Sequence, residues 1–202
     1  MASSCLESVE DFPNHIRQCL LDRSIKGSSA LQQGYRRAAV LMPLMKAENE
    51  WQVLFTRRSN SVQDHKGQVS FPGGASEEMD LGPAETACRE LQEEIGISQQ
   101  EVMVLGQMED MPTITSFLVT PVVGVIPWPV NLSPNLYEVE RVFSIPLCWL
   151  ADLNHWEERL YRLPDGSEHP VIFFNDYDGE LLWGVTARIV INFLQQVGLP
   201  RK

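Results

Sequence analysis

Gly73-Gly74-Ala75-Ser76-Glu77-Glu78-Met79-Asp80-Leu81-Gly82-Pro83-Ala84-Glu85-Thr86-Ala87-Cys88-Arg89-Glu90-Leu91-Gln92-Glu93-Glu94-Ile95-Gly96-Ile97 is a glycine turn, a polar loop and a helix in one run. Pro83 suits a helix start, where its missing N–H costs nothing. Gly96 suits the left-handed residue that commonly ends one. At about 100° per residue, Ala84, Ala87, Cys88, Leu91 and Ile95 share one arc and can face a core. Glu90, Glu93 and Glu94 fall on the neighbouring arc, since spacings of three and four bring side chains together. Glu90 and Glu94 repel, and Glu93 and Glu94 lie at the negative end of the helix dipole. Two readings follow. One is a solvated acidic face; the other is a site for a hard divalent cation, which takes oxygen ligands and relieves the repulsion. Arg89 and Glu93, four apart, can also pair.

Arg89-Glu90-Leu91-Gln92-Glu93-Glu94-Ile95-Gly96-Ile97, preceded by Gly73-Gly74, resembles the core of the Nudix box, R-E-U-x-E-E-x-G-U with U apolar. One position departs from it. Leu81 stands where the usual box has a glutamate, the loop is one residue longer, and Asp80 is the expected acidic stand-in. Such a loop resembles the coenzyme A pyrophosphatase branch of the Nudix hydrolases. Upstream, Leu54-Phe55-Thr56-Arg57-Arg58-Ser59 and His65-Lys66-Gly67-Gln68-Val69-Ser70-Phe71-Pro72-Gly73-Gly74 resemble that branch's additional motif. Gln63 replaces an arginine expected there, and Phe55 a leucine.

The resemblance implies a mixed sheet between helices, an α/β (α+β) sandwich, with the box as loop–helix–loop. It implies hydrolysis of a nucleoside diphosphate linked to another group, with Mg²⁺ or Mn²⁺ as cofactor. Glu90 and Glu94, one turn apart, are the first candidates for metal ligands, with Glu93 as a further ligand or a support paired to Arg89. Glu93 and Arg89 are the candidate catalytic residues, and the base stays open among Glu93, Glu138 and Glu140. Arg57, Arg58 and His65 are candidate phosphate contacts, and Gly74 allows close backbone approach. Coenzyme A, cleaved to 3′,5′-ADP and phosphopantetheine, is the expected substrate. Gln63 keeps ADP-ribose or NADH in play. A non-catalytic nucleotide sensor is the reading from another class, disfavoured because a sensor has no need of all three glutamates.

Composition agrees. The 202 residues suit one domain with a full core, expected over residues 34–202 after a leader helix and linker over 1–33. A formal charge of −11 argues against a nucleic-acid backbone as partner. It leaves anionic small molecules open, because a metal ion can bridge acid to phosphate. Cys5, Cys19, Cys88 and Cys148 lack metal-site spacing and are expected as thiols. No secretory signal or membrane-spanning run is visible, so a cytoplasmic small-molecule enzyme is expected.

Along the chain, Asp11 and Pro13 are placed to start the leader helix, with Ile16, Cys19 and Leu20 as its stripe and Gly27-Ser28-Ser29 as linker. Strands are expected over Arg37–Leu44, Trp51–Thr56, Val102–Leu105 and Phe117–Pro127, the first two joined by polar residues 46–50. His155–Arg162 reads as charged surface. Val171–Phe174 and Leu181–Trp183 read as strands around an Asn175–Gly179 turn, and Thr186–Val197 as a helix stopped by Gly198.

Overall fold

The computed structural model describes residues 11–21, 34–61, 66–162, 166 and 168–199. Strands β1 (Arg36–Ala47) and β2 (Glu50–Arg58) form a hairpin through Glu48 and Asn49, whose φ values are 51° and 66°. Two successive left-handed residues give the turn whose twist matches a hairpin, so the connection tightens to two residues.

The sheet grows outward from this hairpin. Along one edge, β1 pairs antiparallel with β2 and with β4 (Gly73–Ala75); along the other it runs parallel to β7 (Phe117–Val125) from Arg36 to Leu44. β7 carries β5 (Met103–Gln107) and β6 (Met111–Pro112), while β2 carries β3 (Val69–Ser70) and β8 (Val139–Pro146). Eight described strands thus make one mixed sheet.

Alternation along β1 divides the core. Ala39, Leu41 and Met45 face helix α2 (Pro83–Ile95) through Ala87, Leu91 and Ile95. Met42 and Leu44 join the opposite core, with residues of α1 (Phe12–Leu21), α3 (Leu147–Ala151) and α4 (Gly184–Gln196). Helices on both faces of a mixed sheet are the expected sandwich. α1 begins where Asp11 accepts the Asn14 N–H at 3.2 Å, and buries Phe12, Ile16 and Leu20. The 27–29 linker lies outside the described residues.

The expected hairpin around residues 175–179 is corrected. β9 (Trp156–Arg162) and β10 (Glu168–Phe174) pair with each other over seven residues. The chain does turn back at residues 175–179, but among the described residues the return segment pairs through the isolated antiparallel bridges Phe173–Trp183 and Tyr177–Glu180 and forms no strand of its own. His155–Arg162 is largely exposed, as its charge implies, yet all of it after His155 is strand β9. Cys19 and Cys88 are outside any disulfide, whereas Cys148 is disulfide-bonded, which corrects the expectation of four thiols. No described helix is long and apolar enough to cross a membrane.

Candidate active site

The site lies where α2 crosses β4. Pro83 opens the helix, and Gly96 closes it in the left-handed region at φ 80°, donating its N–H to the Gln92 carbonyl. A Cβ on Gly96 would lie 2.8 Å from Ser133 Cβ, so space and dihedral both select glycine. The connection between β7 and β8 is tied to the end of this helix. Ser133 N–H donates to the Ile95 carbonyl at 2.9 Å, and Asn135 N–H to the Glu94 carbonyl at 2.8 Å.

Packing separates the three glutamates that the helix brings together. Glu94 is 2% exposed, and among the described residues its Oε1 accepts one long 3.4 Å bond, from Gly73 N–H. Burial pushes its carboxyl up to about 8; Arg58 opposes the rise, and Glu90 and Glu138 add to it. Glu90 is raised too, first by burial and against the pull of Arg89. Glu93 is mostly exposed and accepts from Arg89 Nη1 at 3.2 Å. It shares that Arg89 nitrogen with Glu90, so it lies beside the buried pair but on the solvent side of it.

Arg89 is a hub. Its Nε and Nη2 donate to the two Asp80 oxygens at 3.1 and 3.2 Å, Nη2 to the Ala75 carbonyl at 3.1 Å, and Nη1 to Glu90 at 2.9 Å. Thr86 Oγ1 and Glu77 N–H also donate to Asp80, each at 2.9 Å. Chiefly through Arg89, the Asp80 carboxyl is held down at about 2. Leu81, at 94% exposure, points to solvent, which leaves Asp80 as the acid that this longer loop offers to Arg89.

The glycine pair is a close-approach device. A Cβ on Gly74 would lie 2.5 Å from Glu90 Oε1, and one on Gly73 2.5 Å from the Ala39 carbonyl. Only bare backbone lets β4 lie on β1 beneath the helix carboxylates.

The basic candidates divide. Arg57 is spent on ion pairs with Glu140 at 3.1 Å and Glu180 at 3.2 Å. Arg58 makes no ion pair among the described residues, its buried Nε has no hydrogen-bond partner there, and its charge reaches Glu94. His65 and Gln63 lie outside the described residues. Of the candidate bases, Glu140 is exposed and bound to Arg57, whereas Glu138 is half-buried and close enough to raise both Glu90 and Glu94. Asn135 Nδ2–H donates to Glu138 Oε1 at 3.1 Å, and the Glu138 carbonyl accepts from Ser59 N–H at 2.8 Å.

Glu180 and Arg141 were not legible as site neighbours. Arg57 and Glu180 are 123 residues apart, and no local spacing links them.

A divalent cation can be tested against this donor set. No cluster of three metal-ligating side chains forms among the described residues. Two carboxylates one turn apart, one of them buried, nonetheless suit Mg²⁺ or Mn²⁺, whose charge would favour the ionised form that burial disfavours and whose shell would be completed by water and substrate phosphate oxygens. A closed protein cage for Ca²⁺ or Zn²⁺ does not fit.

The NUDIX domain family model matches residues 34–163. An uncharacterized Nudix hydrolase, NudL, of Photorhabdus laumondii subsp. laumondii is 38% identical over 169 residues, 83% of this chain and 88% of that protein. A NudL of Yersinia enterocolitica is 37% identical over 164 residues, 80% and 82% of the two chains. Among solved structures, a MutT/nudix family protein from Enterococcus faecalis aligns at a TM-score of 0.51 and 16% identity, over 81% of this chain and 62% of that one, a likeness of fold.

Proposed function

The chain belongs to the NUDIX domain family, and from that premise we propose that it is a metal-dependent diphosphatase whose substrate is coenzyme A or a derivative. The reading is carried by one observation: Glu90 and Glu94 sit one turn apart against Gly73–Gly74, with Glu138 near enough for its charge to act on both and Arg58 near enough to act on Glu94.

Glu90 and Glu94 would hold the metal. Bound there, Mg²⁺ or Mn²⁺ supplies positive charge for the diphosphate and acidity for a coordinated water. Glu138 is the general base. Asn135 occupies its Oε1, which leaves Oε2 to take the proton. Arg58 binds phosphate oxygens, and a guanidinium does this with two parallel hydrogen bonds. Arg89 is a positioning residue, since its donors are taken by Asp80, Glu90, Glu93 and Ala75.

Coenzyme A is favoured by the Gly67–Gly74 run, which here supplies both the β3 ladder and the glycine pair. A second reading, hydrolysis of ADP-ribose or NADH, is favoured by Gln63, because an amide cannot replace a guanidinium on phosphate. Mass spectrometry of products from coenzyme A, dephospho-coenzyme A, ADP-ribose and NADH separates the two. We expect coenzyme A to be cleaved and Gln63→Arg to raise its kcat/KM by about tenfold, the worth of one charge-assisted hydrogen bond. Cleavage of ADP-ribose or NADH with coenzyme A intact, even in Gln63→Arg, overturns the coenzyme A assignment. EDTA should abolish turnover and Mg²⁺ restore it; ligand binding with no product under any metal would make the protein a sensor.

A further inference from the structure

The register of β2 against β8 slips by one residue beside the site. Arg57 faces Arg141, but Arg58 faces Val139, which leaves Glu140 as the extra residue of a β-bulge. A bulge bends its strand and re-aims the neighbouring side chains. Beyond this one, the pairing continues as Ser59 N–H to the Glu138 carbonyl at 2.8 Å. The slip therefore sets where Glu138 stands relative to α2.

A single carboxylate fastens this bulge from outside the sheet. Glu180, 3% exposed, lies in the turn between β10 and α4, past the end of the family match at residue 163. Its Oε1 accepts from Arg141 Nη1 at 2.8 Å and from Arg57 Nη1 at 3.2 Å. Arg57 reaches on to the bulged Glu140, and Arg141 to the carboxylate and carbonyl of Asp178. The opposed pair that borders the bulge, one residue from each strand, thus converges on one buried carboxylate. Two guanidiniums facing each other across β2 and β8 would repel without it, and the slipped register would lose its fastening.

We propose that Glu180 is a positioning residue for Glu138: it clamps Arg57 to Arg141 immediately beside the β8 bulge and so fixes the carboxylate that serves as base. This rests on the diphosphatase reading above. It adds that the turn following β10 is part of the catalytic apparatus without touching substrate. The clamp acts on the proton-transfer step, so its loss falls on kcat and leaves KM within about twofold.

Two measurements on Glu180→Gln test it. The first is amide hydrogen exchange at Ser59 in the metal-free protein, which reads the clamp without any turnover. We expect exchange at least about tenfold faster there, with α2 amides unchanged, since the opening is local. Unchanged exchange at Ser59 overturns the clamp. The second is a double-mutant cycle with Glu138→Gln, using steady-state kinetics. We expect kcat to fall about tenfold in Glu180→Gln alone and by nothing further in the Glu138→Gln background, because coupled residues are non-additive. Independent, multiplying losses, or a kcat unchanged by Glu180→Gln, overturn the positioning role. If Glu180→Gln fails to fold, Arg57→Gln with Glu180→Gln removes the clamp without leaving Arg57 unpaired, and the same two readouts apply. A wild type inert on all four substrates overturns the diphosphatase reading instead, while the exchange experiment still judges the clamp.

Discussion

At the residue scale, burial distinguishes side chains that the helix alone makes equivalent. Glu94→Gln keeps the volume and removes the charge, so turnover should fall by at least about a hundredfold if the carboxylate holds the metal. Melting temperature in EDTA at pH 8 should stay level or rise, because the buried charge is costly there. Near-normal kcat at saturating Mg²⁺ would remove Glu94 from the ligand set. Asp80 titrates in the opposite sense. Arg89 holds its carboxyl at about 2, below the ordinary 3.8. The folded state thus favours the charged form. The resulting stability is complete above about pH 4 and disappears as pH falls toward 2. Asp80→Asn should cost roughly 1–2 kcal/mol at pH 7 and progressively less below pH 4. Urea titrations at pH 7 and pH 3 check this; an equal difference at both would show that the Arg89 contact does not set the shift.

At the element scale, the two glycines of β4 perform different tasks, and substitution separates them. On Gly73 a methyl group meets the backbone of β1, at 2.5 Å from the Ala39 carbonyl and 2.7 Å from Val40 Cα. A strand cannot yield cheaply, so Gly73→Ala should destabilise by about 2–4 kcal/mol. On Gly74 the methyl group meets the far end of the Glu90 side chain, at 2.5 Å from Oε1, which can move aside. Gly74→Ala should therefore lose less than about 1 kcal/mol and yet lower kcat by about tenfold or more, because Glu90 is displaced from its place beside Glu94. Thermal melts and steady-state rates on the two variants give the comparison. A Gly74→Ala protein with full activity would show that Glu90 need not stay where Arg89 holds it.

At the scale of the whole molecule, the family match at residues 34–163 covers the sheet and α2 but omits two helices that complete the core. Ile16 of α1 is fully buried in the same cluster as Met42, Leu105 and Leu194. Cys19 and Val197 carbonyls accept from or face Gln196 and His15, at 3.1 and 2.9 Å, which joins α1 to the end of α4. Ile16→Ala should thus cost about 2–4 kcal/mol in one cooperative transition. A separate early transition for α1 would make it an appendage to a domain that folds without it.

The sequence by itself determined what depends on neighbours within a few turns of chain. Pro83 and Gly96 bound the helix, the 3.6-residue period puts Glu90, Glu93 and Glu94 together, and Asp11 starts α1. Strands β1, β2, β5 and β7 of the main sheet were legible from runs of β-formers, to within a few residues at their ends, whereas β3, β4, β6 and β8 were not read as strands. What the tertiary structure decided depends on residues far apart in the chain. Whether a helical glutamate is buried or solvated is fixed by β4 and by the loop over residues 133–138, which seal Glu94 and leave Glu93 in water. Arg57 and Arg58 are adjacent and alike in sequence, yet Glu140 and Glu180 claim the first and leave the second beside Glu94. A lone charge carries no mark of its partner, because Coulomb attraction and desolvation depend on distance and burial, and neither exists until the chain has closed on itself.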